Sequence, residues 1–303
     1  MNEPSARPRR IAAIAAAVVF GAALAGCASS ETPAATDPST SPLFNEAAAA
    51  LLPEGTTKIV VASGPGYPPI LDLAEDGVTL SGSQPEEVRL IGEVLGIEIV
   101  FEDVKFDALF PALESKKVDM AAAALGVSAE RLESVDFVSD FQGGTTLLVE
   151  GGNPLDLSLE SLCGHSVGVL KGSTEDTITL PIWNADCTDA GDPAIEISTF
   201  PTAADAVLAL TSKRVEATVS ALPPAVYQAQ ESDGALEALD INFDPSPWGL
   251  AFPKGSELTP AIQAALAHLM ESGDYLANLE QFGVEVGAID EAVIYTDPAQ
   301  IDH

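Results

Sequence analysis

Basic residues are scarce in this chain: 13 Lys and Arg stand against 46 Asp and Glu in 303 residues, a formal charge of -33. A surface that acidic repels a nucleic-acid backbone, which excludes nucleic acid as a partner. Histidine is rarer still. His165, His268 and His303 are the full set, and with three cysteines nothing has zinc-ligand spacing, so neither a metal nor another cofactor is expected. The Gly-x-Ser-x-Gly elbow, the Walker loop, the dinucleotide fingerprint and His-Glu-x-x-His are all missing, which removes the usual support for hydrolase and nucleotide readings. The apolar run from Ile11 to Gly26 falls short of a comfortable membrane span. What is there is core material: 47% hydrophobic residues with 19% charged, enough for one large or two ordinary α/β domains carrying an acidic surface.

Arg7, Arg9 and Arg10 precede that apolar run, and Leu24-Ala25-Gly26-Cys27 ends it. A basic flank, an apolar centre and small terminal residues are the parts of an export signal. The last four residues resemble the lipobox of bacterial lipoproteins, which implies cleavage after residue 26 and a lipid on Cys27. An uncleaved anchor helix is the competing reading. Residues 27–42 are rich in Ser, Thr, Pro and Ala without apolar periodicity and are expected to be a flexible tether. Lipid on Cys27 leaves Cys163 and Cys187 as an even pair in an oxidising compartment, so a Cys163–Cys187 disulfide is expected. It would pin a loop containing Trp183, Asn184 and Asp186 to the strand that follows Cys163.

Beyond Leu43, β-rich apolar runs alternate with helical patterns. Strands are predicted at 58–63, 97–101, 119–125, 145–150, 166–170, 195–200, 217–220 and 249–252. Val88, Ile91 and Leu95 with Gly96 as a stop predict one helix, and Asp107 capping Leu109, Phe110 and Leu113 predicts another. Stripes at Ala203, Ala206, Val207 and Leu210, and at Ile262, Leu266, Leu269 and Met270, predict two more. The alternation predicts an α/β fold whose sheets are mostly parallel, with helices on both faces. His268 falls off its stripe and is expected to be exposed, and His165 lies in a predicted turn.

A series of segments in a particular order carries more information. Val60-Val61-Ala62-Ser63-Gly64-Pro65-Gly66-Tyr67-Pro68-Pro69 runs a strand into a loop that presents an aromatic ring. Lys105 to Leu113, Val118 to Arg131 and Val135-Asp136-Phe137 follow, then Val167 to Thr174, Arg214 to Ala217 and Trp248 to Leu258. In that order, over roughly residues 58 to 283, they resemble the amino-acid-type extracellular solute-binding proteins of ABC importers, of type II periplasmic-binding-protein fold. The resemblance implies two doubly wound lobes, residues 43–145 plus 250–303 and residues 146–249, joined by a two-strand hinge near 142–148 and 245–250. It implies a monomer, lipid-anchored through Cys27 on the outer face of the cytoplasmic membrane, that delivers a solute to permease subunits.

The resemblance also implies a binding site between the lobes. Tyr67 and Phe106 match two aromatic positions that sandwich the ligand; from periodicity alone Phe106 could simply open its helix's apolar stripe. Arg131 matches the Arg that holds a ligand carboxylate, a task suited to its planar fork. Read from its neighbours alone, it could pair with Glu130, Glu133 or Asp136 at the surface. Gly172, Ser173 and Thr174 match a second-lobe loop that meets the same carboxylate, although either hydroxyl could be an ordinary helix cap. Leu170 matches a position that reads the ligand side chain and favours a less polar ligand.

Two departures bear on what is bound. Ala123, Ala124 and Gly126 stand where relatives usually carry hydroxyl acceptors, and Ala221 stands where they place an Asp opposite the ligand ammonium. A buried ammonium without a counter-ion costs several kcal/mol. Either the solute is a carboxylate poor in amine, or another acid reaches it, with Glu175, Asp176 and Asp140 as candidates. The rival readings are a cyclohexadienyl or arogenate dehydratase on the same fold, which needs a general acid, and an extracellular ligand sensor.

Overall fold

The computed structural model describes residues 41 to 301. The expected leader (1–26), Cys27 and all of the tether (27–42) but its last two residues lie outside the described residues, as does His303. A helical turn, α1 (Glu46–Ala49), precedes β1 (Lys58–Ser63). Two short paired strands, β2 (Asp72–Leu73) and β3 (Leu80–Ser81), lead into α2 (Ser83–Leu95), β4 (Glu98–Asp103), α3 (Leu109–Glu114) and β5 (Met120–Gly126). The long β6 (Val135–Glu150) carries the chain away to β7 (Ser166–Leu170), α4 (Leu180–Ala190), β8 (Glu196–Phe200), α5 (Ala203–Thr211), β9 (Ala217–Ala221), α6 (Leu222–Glu231) and β10 (Leu236–Ala238). It returns along β11 (Phe243–Pro253) to α7 (Thr259–Ser272), α8 (Asp274–Gln281) and β12 (Ile294–Tyr295).

Local chemistry sets these ends. Gly96 closes α2 in the left-handed conformation at φ 66°, its N–H returning to carbonyls of the last turn. Thr202 opens α5 by accepting the Asp205 N–H at 3.0 Å, and Ala206, Ala209 and Leu210 turn its buried face inward.

The strands form one mixed sheet in the order β4-β1-β5-β11-β6-β9-β7-β8, with β10 and β12 also paired to β6. One core gathers around β1, β5, α2 and α7. Two smaller ones lie on opposite faces of the β6–β9–β7 region: Leu147 and Val149 enter one and Leu148 the other, as strand alternation requires. β6 threads all three, for Val135, Phe137, Val138 and Phe141 belong to the large core.

Four expectations need correction. The sheet is not mostly parallel: β1/β4, β1/β5, β7/β8 and β7/β9 are parallel, whereas β6 pairs antiparallel with β9, β10, β11 and β12, and β11 with β5. Strands that pass straight from one half to the other have no crossover helix to make them parallel. Trp183, Asn184 and Asp186 lie in α4 rather than a loop, because Leu180, Trp183 and Cys187 form a buried i, i+3, i+7 stripe that outweighs the polar residues between them. Asp107 caps nothing; it sits inside a 3-10 turn, Phe106–Ala108, ahead of α3. His268 is half-buried rather than exposed, because its ring meets the Asn45 amide at 3.1 Å, and His165 meets Glu216 at 3.1 Å.

Cys163 and Cys187 are bonded, so the bridge ties α4 to the segment that enters β7. Replacing both by Ser should cost about 3 kcal/mol from the entropy of a cross-link across 24 residues, and lower the melting temperature while ligand affinity stays unchanged. Calorimetric unfolding together with binding titrations checks both halves of that expectation.

Candidate functional site

A cleft of about 440 Å³ opens where the ends of β1, β5, β7 and β9 face one another, a size suited to a small organic molecule. Tyr67, Phe106, Ala124, Gly126, Arg131, Leu170, Ser173 and Thr174 line it. Gly172 and Ala221 do not, but both bond to residues that do.

Arg131 follows β5 by one turn, and its guanidinium reaches across the cleft. Nη1 donates to the Gly126 carbonyl at 2.7 Å and Nη2 to the Gly172 carbonyl at 3.0 Å, one from each side. The Phe110 ring lies 5.1 Å below the guanidinium carbon, a cation–π contact that keeps the charge facing the cleft. Burial pulls the Arg131 pKa down to about 10 while Glu175 and Glu130 oppose the fall, so the group stays cationic at neutral pH. Two carbonyls leave the rest of its five N–H groups for an anion.

Tyr67 makes the second crossing. Its hydroxyl lies 3.2 Å from Ser220 Oγ and accepts the Ala221 N–H at 3.2 Å, both at the end of β9. Burial raises the phenol pKa, with Glu175 adding to it, so the hydroxyl remains neutral. Gly126 allows the two sides to meet: a Cβ there would stand 2.9 Å from Thr174 Cγ2. Ser173 Oγ accepts the Asp176 N–H at 3.3 Å, so the ordinary capping role holds for this residue even as it lines the cleft.

The three candidate acids divide clearly. Asp140, 1% exposed, accepts from Gln84 Nε2 at 2.6 Å and does not line the cleft. Asp176 accepts the Gly172 N–H at 2.8 Å. Glu175, buried in the first position of a π-helical turn, lines the cleft and forms no ion pair among the described residues. Among the described residues no group of His, Cys, Asp and Glu could hold a metal ion.

The sequence profile described as bacterial extracellular solute-binding proteins, family 3, matches residues 59–285. The chain belongs to that family. It is similar to the "Arginine-binding protein ArgT" of Corynebacterium glutamicum, 28% identical over 307 aligned residues that take in 98% of this chain and 99% of the relative. Among solved structures it is similar to "an ancestral arginine-binding protein bound to arginine", 31% identical with a TM-score of 0.67, covering 74% of this chain and 97% of that one. A third likeness is to "the ancestral amino acid-binding protein AncCDT-1, a precursor of cyclohexadienyl dehydratase", 26% identical with a TM-score of 0.66, covering 74% and 95%.

Sequence reasoning passed over several residues of the cleft, Trp248, Ser220, Asp103 and Asp205 among them. Trp248 lines it and packs against Phe141 with ring centres 5.0 Å apart and planes tilted by 41°; a Trp on a strand reads as core, although the neighbouring Gly249 marked an unusual strand. Ser220 was noted only as the neighbour of Ala221. Gly126→Ala should weaken ligand binding about tenfold, because Thr174 must withdraw for the sides to close, while the ligand-free melting temperature stays near wild type. Isothermal titration paired with a melting curve measures both.

Proposed function

We propose that this solute-binding protein captures a cationic L-amino acid of the arginine class between two lobes and passes it to the permease of an ABC importer. It binds amino acids for transport and is not an enzyme. The observation that carries the finer reading is the Arg131 guanidinium bridging the two sides of a cleft that also holds a buried Glu175 with no ion pair among the described residues. A ligand α-carboxylate would take the free N–H groups of Arg131, between the Tyr67 and Phe106 rings. Glu175 would serve the ammonium in place of the acid that Ala221 lacks, which favours a true amino acid over an amine-poor carboxylate. Asp103 and Asp205 also line the cleft, against one Lys, Lys105, and their excess of negative charge favours a cationic side chain, in keeping with the arginine-binding relatives.

The lobes would be residues 43–145 plus 250–303 and residues 146–249, hinged where β6 and β11 cross. The pairing of those strands slips between Phe243 and Ser246 and again between Trp248 and Gly249, irregularities that let two strands flex without losing their ladder. The chain would act as a monomer, lipid-anchored through Cys27 outside the cytoplasmic membrane. The family is extracellular, and among the described residues no helix is long and apolar enough to cross a membrane. Of the two candidate general acids for a dehydratase, Asp140 does not line the cleft and Glu175 does; the dehydratase-related neighbour is itself described as amino-acid-binding, which favours the binder.

A thermal-shift screen tests the ligand class, since a solute that binds only the folded form raises its melting point. L-arginine and L-lysine should raise it, while agmatine, which lacks the carboxylate, and the deaminated analogue of arginine should not. An equal shift from agmatine rejects the Arg131 role. Arg131→Ala should cost at least about 2 kcal/mol in L-arginine binding, roughly 30-fold, with the fold retained.

A further inference from the structure

Helix α2 turns a carboxyl group into the core next to another one. Glu87 is 2% exposed and Asp140, on β6, is 1% exposed, and neither forms an ion pair among the described residues. Glu87 Oε1 and Asp140 Oδ1 are buried without a hydrogen-bond partner, and Glu87 stands one turn along α2 from Gln84, which holds Asp140, so the two carboxyls meet on one buried face. Carboxylate oxygens only accept, so such a contact closes only with a proton between them. The other Asp140 oxygen takes Gln84 Nε2 at 2.6 Å, and Gln84 Oε1 in turn accepts the Ala124 N–H at 2.8 Å. Ala124 is a wall of the cleft held at φ 51°, a left-handed conformation that a residue with a Cβ adopts at a cost of about 1 kcal/mol or more. The chain of contacts therefore runs from a buried acid pair, through one amide, to a strained residue in the binding site.

We propose that Glu87 and Asp140 share one proton and act as a positioning pair that, through Gln84, holds the Ala124 wall of the cleft in its binding conformation. Gln84 can donate to Asp140 and accept from Ala124 only in one orientation of its amide, and an ionised Asp140 fixes that orientation. Glu87 supplies the proton that makes a buried Asp140 carboxylate tolerable. The groups facing the pair are Gln84 from α2 itself and Tyr275 from α8; the Tyr275 hydroxyl donates to the Asp140 carbonyl at 2.8 Å, and Asp290 adds a further negative charge near that phenol. None is a cation. Burial is the main cause that lifts both acids: Asp140 is pushed up to about 6, and Glu87, with Asp140 beside it, well above the usual carboxylate range.

The sign of the pH dependence follows. An acid whose pKa is raised by folding stabilises the fold while protonated and loses that contribution as pH rises through the raised value. Loss of the shared proton leaves two unpaired buried charges and frees Gln84. The Ala124 wall should therefore loosen on the alkaline side of neutrality and hold down to about pH 6, below which Asp140 takes up its own proton and no longer fixes the amide.

The test uses the isolated chain and needs no ligand for its first arm. The protection factor of the Ala124 amide, measured by hydrogen exchange and corrected for intrinsic rates, should fall about tenfold from pH 6.5 to 9 in the wild type. Glu87→Gln places a permanent N–H donor against Asp140, so its profile should be flat over that range. Gln84→Ala should lower protection at every pH. Carbon-13 titration of the Glu87 carboxyl in the wild type should find it protonated at pH 7. An ionised Glu87 at pH 7, a flat wild-type profile, or an unchanged fall in Glu87→Gln each overturns the proposal, and the wild-type measurements decide it even if a variant fails to fold. In the second arm, L-arginine affinity should weaken in the same pH window in the wild type and not in Glu87→Gln. Absence of L-arginine binding to the wild type sinks the arginine reading alone, since amide exchange still judges the pair.

Discussion

One cation holds the two sides of this molecule in register. Arg131 is the point where a carbonyl at the end of β5 and a carbonyl in the turn after β7 meet on a single rigid group. A guanidinium suits the task because it is planar, permanently charged and has more donors than either carbonyl needs. Tyr67 repeats the crossing with a neutral hydroxyl against the end of β9. Together they join surfaces that the backbone links only through long strands, so whatever occupies the cleft also decides how firmly the sides are held together.

The extreme acidity of the chain makes that cation more valuable. With few bases to spare, ordinary interior charge pairing is rare, and one basic side chain outside the cleft shows the pattern clearly. Lys254 meets Asp136 at 3.0 Å and donates to the Leu132 and Thr296 carbonyls, stitching the C-terminal segment to the start of β6. Elsewhere acids are met by amides, hydroxyls and each other. Glu87, Asp140 and Gln84 belong to this second category, and their cost is offset only because every contact leads to a group that the cleft depends on. Glu175 has only a long hydroxyl contact, 3.5 Å from Thr174 Oγ1. It sits ready for a positive charge brought from outside.

Much of this was legible in the amino-acid order, and the reasons differ from residue to residue. Strands 58–63 and 166–170 are found at the expected residues because β-branched runs bounded by turn residues have few other uses. Arg131 and Tyr67 could be singled out because each matches a position in the resemblance to the solute-binding family; from its neighbours alone Arg131 reads as a surface ion pair. Strand direction was not legible: alternation reports which face is buried and says nothing about the partner's polarity, so the antiparallel centre around β6 escaped notice. The α4 helix was hidden by its Asn, Asp and Pro residues, whose turn preferences yielded to three buried positions. Glu87 carried a signal that went unused, since it stands four residues before Ile91 and seven before Val94 on the buried stripe of α2. An acid on an apolar stripe asks for a partner, and only the folded chain brings Asp140 to it.

The central claim is that Arg131 couples ligand capture to closure of the two sides. Small-angle scattering on the wild type and on Arg131→Ala, each at L-arginine concentrations that saturate it, tests this directly. The account predicts that ligand lowers the radius of gyration of the wild type and leaves that of the variant at its ligand-free value. Equal compaction in the two proteins would contradict it.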